Sequence, residues 1–480
     1  MGEKTPAKKK GIGALNWTLL LVIGFSAQIA WVIENNWFAN FLYSDFGAQL
    51  GVVTAMTICS ATATTFSALF FGTLSDRIGS RKKLITWGSV LWGVFTIAFG
   101  MTHYLRDSIY NNVMLIGVTI VAADTIMSFF GSMANDAGYN AWYADMMDDS
   151  NSGQIGAVAA TLPVIGTLVG TLVGGMFVNS EYLTRTNPQG GYIAFFTIAG
   201  AVTILVGIAS FFLLKDDPKL KPVKDGSFWH QFASTFNFKR FVANKELALV
   251  FLTLCIFFIG YNCYFIHIMN WMNYTLGFKD PSLILGIPLV LAMLISVPFI
   301  KVINNKRVPD VAAFATALSI VGCLFIYFVV GALKGSLDTE NALSPANWSC
   351  FVGIILVGVG YVVFMQSMTV WMKRLYPEEH RGQFEGIRIL FFVFFPMIAG
   401  PLLADPICRL FGEKVYQVVD NGNLVFVTAQ QATEMGYDIS SIAEGYLPVN
   451  ELFIAATVVT VLALIPMSKA AKLYKARNGR

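Results

Sequence analysis

The 480-residue chain is 55% hydrophobic and 13% charged, and its formal net charge is +4 at pH 7. Soluble domains contain about 25% charged residues, so this composition excludes a soluble globular protein and favours a lipid bilayer as the surroundings. The six cysteines and four histidines show no metal-ligand spacing, and the sequence has no nucleotide-binding loop and no nucleophile–base pattern. We therefore expect no enzymatic activity, no bound metal or cofactor and, because the net charge is small, no nucleic acid partner.

Apolar segments long enough to span a bilayer follow one another along the chain, since a membrane helix needs about 20 such residues. Twelve are predicted, at 17–43, 48–72, 84–103, 112–141, 155–178, 191–214, 246–274, 282–303, 310–332, 347–372, 384–405 and 449–468. The first of them is too long to be the core of a signal peptide, so we expect it to be retained. The sequence thus predicts an all-α membrane protein with twelve transmembrane helices.

Lysine and arginine are distributed unequally between the two ends of these segments. Most of the 33 such residues lie at the two termini or in loops that follow even-numbered segments. The positive-inside rule therefore predicts a multi-pass protein of the cell membrane with both termini in the cytoplasm.

A long charged segment, residues 215–245, separates the sixth predicted helix from the seventh. Trp142 and the later pair Gly153-Gln154 recur at the same spacing in the second half of the chain, as Trp371 and Gly382-Gln383. Two such halves are the arrangement of one large class of secondary transporters. We predict two pseudo-symmetric six-helix bundles, residues 1–214 and 246–480, joined by a cytoplasmic linker.

The loop 406–447 contains two runs of strand-forming residues around Asn421-Gly422. Alternating strand formers that flank Asn-Gly are a strong hairpin signal. We therefore predict a small extracellular β-hairpin between helices 11 and 12.

Three acidic residues lie inside predicted helices: Glu34 in the first, and Asp124 and Asp136 in the fourth. A carboxylate near the bilayer centre costs about 3 kcal/mol on insertion scales, so it usually faces a bundle interior or a hydrated cavity. We expect all three to couple transport to a cation. Each could instead be only a structural hydrogen-bond partner.

The loop Gly72–Lys83, between the second and third predicted helices, reads G-T-L-S-D-R-I-G-S-R-K-K. It resembles the signature loop of the major facilitator superfamily, G-x-x-S-D-R-x-G-x-R-K-K. The resemblance implies the major facilitator fold and a charged conformational latch, whose residues are Gly72, Asp76, Arg77, Gly79, Arg81 and Lys82. The alternative is a loop whose positive charges only determine the topology.

Two further stretches are similar to the glycoside–pentoside–hexuronide:cation symporters, the melibiose-carrier group. Asp136–Asp145 reads D-A-G-Y-N-A-W-Y-A-D beside that family's D-I-P-Y-x-A-L-x-P-E, and Tyr43–Gly47 resembles its Y-x-D-x-x-G. The resemblance implies a sugar or glycoside carrier driven by a cation gradient, with Asp136 at a cation-site carboxylate. The family's two further cation-binding acids are replaced by Thr64 and Ala68, which favours H⁺ over Na⁺ as the coupling ion.

Candidate substrate-binding residues are polar or aromatic side chains of helices one, four, seven and ten, since amides and carboxylates bind sugar hydroxyls and indole faces cover pyranose rings. They are Glu34, Asn35, Trp37, Tyr139, Asn140, Asn262, His267, Asn270, Trp271 and Gln366. A single histidine on an apolar helix, such as His267, is also compatible with a structural role. Charged residues near the cytoplasmic helix ends are expected to form a gate, namely Asp145, Arg381, Glu385 and Arg388.

These features together predict a secondary active transporter that moves a small solute, a sugar or glycoside, by alternating access coupled to a cation. One alternative is a proton-coupled exporter of amphipathic drugs, which the aromatic content of 14% would suit. Another is a receptor or sensor that has kept the fold, although a static sensor has little use for a latch. The expected partners are the substrate and the lipid bilayer, and the resemblance implies a monomer.

Overall fold

The computed structural model describes most of the chain. The described residues are 13–109, 112–147, 151–218, 220–223, 226–234, 238–304, 307–376, 386–420, 423–442 and 444–478. Among them, eleven helices are long and apolar enough to cross a membrane, and a shorter apolar helix lies between the seventh and the eighth of these.

These helices are numbered in chain order, and α8 is the short one. They are α1 (Ala14–Phe46), α2 (Leu50–Ile78), α3 (Lys82–Ile109), α4 (Val113–Asp145), α5 (Gln154–Val178), α6 (Gly190–Leu213), α7 (Lys245–Thr275), α8 (Pro281–Ser296), α9 (Val308–Ser336), α10 (Pro345–Leu375), α11 (Gly386–Phe411) and α12 (Glu451–Arg477). Other short helices lie at Glu181–Thr184, Phe228–Ser234, Phe238–Ala243, Phe299–Asn304 and Ala429–Glu434.

The predicted eighth segment, 282–303, is divided in the structure. Its first part is α8, which has 16 residues, and a separate helix, Phe299–Asn304, follows. Pro298 lies at the division, because proline lacks an N–H group and disfavours helical backbone at the preceding residue. Since α8 is shorter than the other eleven, the count of twelve membrane-spanning helices stays a prediction.

A three-stranded antiparallel sheet lies between α11 and α12. Its central strand β1 (Lys414–Asp420) pairs with β2 (Asn423–Val427) on one side and with β3 (Glu444–Tyr446) on the other. The predicted turn residues, 421 and 422, lie outside the described part of the chain. The sheet is attached to the helices where the N–H of Tyr446 donates to the carbonyl of Ala48, at 3.2 Å. We call this end of the molecule the sheet face.

The opposite end, here called the terminal face, holds the starts of α1, α3 and α7 and the ends of α2, α6 and α12. Two tryptophans that the sequence aligns with each other lie there in similar settings. The indole N–H of Trp142 donates to the carbonyl of Lys215, at 3.3 Å, and that of Trp371 donates to the carboxylate of Glu246, at 2.8 Å. Glu246 also pairs with Arg477 of α12, at 3.0 Å. Each indole thus holds one end of the segment between α6 and α7.

Small residues allow α3 and α6 to pack at very short range. A Cβ atom placed on Gly200 would lie 2.6 Å from the carbonyl oxygen of Gly93, which faces it from α3. Membrane helices gain little from apolar contact alone, so close backbone approach at small residues is a main source of their association.

We predict that Gly200→Ala destabilises the protein by about 1–3 kcal/mol, because the added methyl group overpacks the α3–α6 contact. The measurement is the midpoint of thermal unfolding of the purified protein in detergent. Gly117→Ala is the matched control, since its Cβ would meet only the Val52 side chain, at 4.0 Å. Equal midpoints for both variants would contradict the close contact.

Candidate functional site

A cavity of about 360 Å³ lies in the middle of the bundle, and its lining residues come from two parts of the chain, 28–168 and 258–453. Its walls come mainly from α1, α5, α7, α8, α10 and α11, and most of its side chains are aromatic or aliphatic. None of the described residues that line it is charged. The polar ones are Gln28, Asn35, Asn36, Thr167, Tyr261, Asn262, Tyr264 and Tyr361. A cavity of this volume and composition is typical of sites for one small ligand.

One π-helical turn, Ile33–Phe38, interrupts α1 beside this cavity. Such turns insert an extra residue into the helical winding and are frequent at functional sites. Glu34 and Asn35 lie in the turn. Asn35 lines the central cavity, and both residues line a second, small cavity of about 20 Å³ between α1, α2 and α4.

Two amides occupy similar positions on α1 and α7. The side-chain NH₂ of Asn35 donates to the carbonyl of Trp31, at 2.7 Å, and that of Asn262 donates to the carbonyl of Phe258, at 2.8 Å. Each bond joins a residue to the one four positions earlier on the same helix. It orients the amide and leaves its oxygen able to accept a hydrogen bond from a ligand.

Aromatic rings form much of the rest of the wall. The indole of Trp31 packs against that of Trp92, with ring centroids 5.1 Å apart, and the rings of Tyr261 and Tyr361 stack at 4.7 Å. Sequence reasoning missed Tyr361, because one ring among 40 phenylalanines and 17 tyrosines carries no signal of its position. Gln28 was also missed, although an amide within an apolar segment was a signal that could have found it.

Several predicted substrate-binding residues of the first half lie away from the central cavity. The indole N–H of Trp37 donates to the carbonyl of Gly170, at 3.2 Å, and the hydroxyl of Tyr139 donates to the carbonyl of Leu20, at 2.6 Å. Both side chains therefore hold α1 to its neighbours. Asn140 is half-buried and is not among the residues that line the cavity.

Four predicted substrate-binding residues of the second half also lie away from the central cavity. Asn270 bonds to α1, and the indole of Trp271 donates to the side chain of Asn450, at 2.7 Å. His267 is fully buried where α7 is interrupted, and within the described residues neither ring nitrogen has a hydrogen-bond partner. The amide oxygen of Gln366 in α10 is likewise buried without one. Of the ten predicted substrate residues, the structure brings Asn35 and Asn262 together at the central cavity.

The three buried acids form two groups. Glu34 accepts a hydrogen bond from Ser128, at 2.8 Å, and shares the small cavity with Asp124. Asp136 lies nearer the terminal face and accepts hydrogen bonds from Ser132, at 2.9 Å, and Asn135, at 3.0 Å. Each carboxylate is thus held by short hydroxyl or amide side chains inside the first half.

Asp136 also experiences the positive charge of Arg388 on α11. The guanidinium of Arg388 lies over the Phe392 ring, 5.4 Å from its centroid. Arg388 therefore acts on Asp136, the residue that the sequence predicts to couple transport to a cation. Its predicted gate partners, Arg381 and Glu385, lie outside the described residues.

The latch loop forms a charged cluster on the terminal face. Arg81 contacts the carboxylate of Asp76, at 2.7 Å, and that of Asp145, at 3.0 Å. Gly79 permits the turn after α2, since its φ of 63° lies in the left-handed region. Arg77 donates to the carbonyl of Gly226, at 3.0 Å. Asp145, predicted as a gate residue, thus lies in the latch.

The two remaining latch residues differ in their surroundings. The backbone N–H of Lys82 donates to the carboxylate of Asp216, at 2.9 Å, which caps α3. A Cβ atom on Gly72 would meet nothing within 4 Å. The latch therefore connects α2, α3 and α4 with the segment that follows α6.

The sheet face is closed between the two halves. The side-chain NH₂ of Asn40 donates to the amide oxygen of Asn270, at 2.8 Å, and Asn270 donates to the carbonyl of Ala39, at 3.1 Å. Nearby, the rings of Tyr43 and Tyr274 stack with centroids 5.9 Å apart. We call these contacts between α1 and α7 the sheet-face seal, because they join the two helices between the central cavity and the sheet.

Residues 20–401 match the family model described as Major Facilitator Superfamily. The chain belongs to the major facilitator superfamily. It is therefore a multi-pass membrane transporter and not an enzyme, with a small-molecule substrate and the bilayer as its surroundings. A comparison with curated proteins gives no sequence match.

Solved transporter structures share the fold at low identity. A mutant of the nucleoside transporter NupG is 13% identical, with a TM-score of 0.63 over 94% of this chain and 99% of that chain. A bacterial homologue of the human lysosomal transporter Spinster is 12% identical, with a TM-score of 0.62 over 97% of each chain. An auto-inhibited peptide transporter of the POT family is 11% identical, with a TM-score of 0.61 over 96% of each chain. These likenesses concern the fold of the transporter alone.

We predict that Asn270→Ala opens the sheet-face seal of the transporter more often. Membrane interhelical hydrogen bonds contribute about 0.6 kcal/mol each, so losing one shifts the population of open molecules by about threefold, and Asn270 makes two. The measurement is the rate at which an impermeant maleimide, added to the sheet-face side of proteoliposomes, modifies Gln28→Cys in a background with Cys59→Ser. Asn179→Ala, at an exposed position after α5, is the control. A labelling rate equal to that of the control would be evidence against the seal.

Proposed function

We propose that this transporter is a secondary carrier for a small neutral solute of the sugar or glycoside class, and that it works by alternating access driven by a cation gradient. The observation that carries the proposal is the central cavity, where amides and aromatic rings from both halves surround a space and no described lining residue is charged.

The chemistry of this lining suits a neutral molecule with many hydroxyl groups. The oriented amides of Asn35 and Asn262 accept hydrogen bonds from opposite walls, and the faces of Trp31 and Tyr261 cover the apolar side of a sugar ring. A charged substrate would leave its charge unpaired in the cavity, which is costly in apolar surroundings. The lining therefore supports a glycoside more than a peptide or an organic ion.

Sidedness follows from the charge distribution. If the basic terminal face is cytoplasmic, the sheet face is extracellular, and the sheet-face seal closes the carrier to the outside. Transport then requires the contacts of Asn40 with Asn270 and of Tyr43 with Tyr274 to break while the terminal face closes. Arg388 and Asp136 attract each other across the halves on the way to the terminal face, so a change in the charge of Asp136 alters that closure. The coupling ion is H⁺ on this reasoning, with Na⁺ as the alternative.

We predict that Asn35→Ala and Asn262→Ala each weaken substrate binding by about two- to tenfold, the range expected for one hydrogen bond. A panel of sugars and glycosides is first screened by thermal shift on the wild type, and the affinity of the best ligand is then measured by calorimetry. Asn179→Ala provides the matched control. Unchanged affinity in both cavity variants would exclude this cavity as the binding site.

We predict that Asp136→Asn abolishes accumulation of the labelled substrate against its gradient but leaves counterflow intact, because only the first needs a coupled ion. Both are measured in proteoliposomes, with Asp107→Asn at an exposed position as the control. The wild type is also measured with the H⁺ and Na⁺ gradients collapsed. Accumulation that survives both collapses would refute cation-driven transport.

The second candidate function is export of amphipathic drugs coupled to protons, which the aromatic walls of the central cavity would also suit. Dye efflux from cells that express the transporter distinguishes the two. Efflux that depends on Asn262, together with no stabilisation by any glycoside, would favour the exporter.

A further inference from the structure

We propose that the small cavity between α1, α2 and α4 is a binding site for a dehydrated Na⁺ ion. The cavity has a volume of about 20 Å³, and a space of about 10–15 Å³ is enough for one water-sized sphere. Five of the side chains around it carry oxygen, namely Glu34, Asn35, Thr57, Ser60 and Asp124. The remaining lining residues are apolar.

Two carboxylate oxygens in this cavity lack partners. Ser128 donates to one oxygen of Glu34, at 2.8 Å, while the hydroxyl of Ser60 donates to the carbonyl of Thr57, at 3.2 Å, and lines the cavity beside Asp124. The other oxygen of Glu34, Oε2, and Oδ1 of Asp124 are both enclosed and have no hydrogen-bond partner in the described structure. The two side chains are themselves buried, with 8% of Glu34 and 1% of Asp124 exposed. Each acid thus has one enclosed oxygen available for a ligand.

The composition of the wall selects the class of ligand. Buried carboxylates without a counter-charge are strongly unfavourable, and the residues that line this cavity include no lysine, arginine or histidine. Hard cations prefer oxygen ligands such as carboxylates, amide oxygens and hydroxyls. No cluster of three or more acidic, histidine or cysteine residues that could hold a metal is present among the described residues. Two oxygens without partners are few for the six to eight ligands of Ca²⁺, so we assign a monovalent ion, and we choose Na⁺ over the larger K⁺ because the cavity is small.

This site differs from the position that the sequence resemblance indicates. In the symporter family, two further acids accompany the carboxylate that aligns with Asp136. Thr64 and Ala68 occupy their positions in this chain, and for this reason the sequence favours H⁺. In the structure, α2 contributes Thr57 and Ser60 instead, nearer the sheet face. The small cavity thus adds a Na⁺ site to the carrier, separate from the H⁺ coupling proposed at Asp136.

The position of the small cavity also connects the proposed ion site with the proposed substrate site. Asn35 and Met397 line both the small cavity and the central cavity, and Ile266 of α7 closes the small cavity from the second half. Ion binding therefore orients an amide that the substrate contacts, and separation of the halves exposes the ion. This coupling rests on the proposed function, whereas ion binding itself does not.

The test is the thermal unfolding of the purified full-length protein in NaCl, KCl or choline chloride at one ionic strength. A ligand that binds only the folded state stabilises it in a saturable way, so we expect Na⁺, but neither K⁺ nor choline, to raise the midpoint. Loss of one ligand or supporting group weakens metal binding by about 10–100-fold, and we expect Asp124→Asn and Ser60→Ala to do so. Asp107→Asn, at an exposed position, should leave the Na⁺ affinity unchanged, and Asp136→Asn should retain a Na⁺ response.

The response of Asp124→Asn without Na⁺ separates an ion site from a purely structural role. Removing an uncompensated buried charge relieves its cost, so this variant should be at least as stable as the wild type in choline chloride and less stable in saturating NaCl. Ser60→Ala provides the second variant if the first does not fold.

Three results would overturn the proposal: no difference between Na⁺ and choline in the wild type, an unchanged Na⁺ response in both cavity variants, or loss of the response in Asp136→Asn alone. Glycoside binding measured in choline chloride tests the proposed function separately, because it can persist when no Na⁺ site exists.

Discussion

The π-helical turn of α1 carries a carboxylate and an amide on adjacent residues of an otherwise apolar helix. In a bilayer neither group can be left without a partner, because each unsatisfied polar group costs several kcal/mol. The wider winding lets Glu34 lie among the hydroxyls of α2 and α4 while Asn35 also reaches the central cavity. The boundary between the two cavities, and hence any coupling of ion to substrate, depends on this one turn.

The two halves of the chain meet differently at the two ends of the molecule. On the sheet face, Asn40 and Asn270 bond directly across the halves. On the terminal face, Arg81 instead holds Asp76 and Asp145, which all belong to the first half. A carrier alternates between two states, so the contacts on one face must break when the contacts on the other face form. Hydrogen bonds between amides suit that purpose, since they are short-range and individually weak.

Sequence reasoning was most successful where the signal is local. The helix positions follow from long apolar runs, and the charged loop after α2 follows from a run of glycine and charged residues, although Arg81 of that loop also contacts Asp145, 64 residues away. The acids at 34, 124 and 136 were recognisable because lipid excludes a carboxylate wherever the helix packs. Sequence reasoning was least successful for α8. Hydropathy predicts one continuous helix there, but Pro298 divides the apolar run into two helices.

Polarity and spacing did not reveal which side chains face each other. Asn262 and Trp271 lie on the same predicted helix, yet one lines the central cavity and the other bonds to Asn450. By itself the sequence determined the membrane environment, the positions of most helices, the charged latch and the presence of buried acids, because hydropathy and charge act residue by residue. Only the tertiary structure decided that Glu34 joins Asp124 rather than Asp136 at a small cavity, and that Asn35 and Asn262 line the same larger one. Those pairings depend on helix rotation and on a π turn, and both are set by packing between segments far apart in the chain.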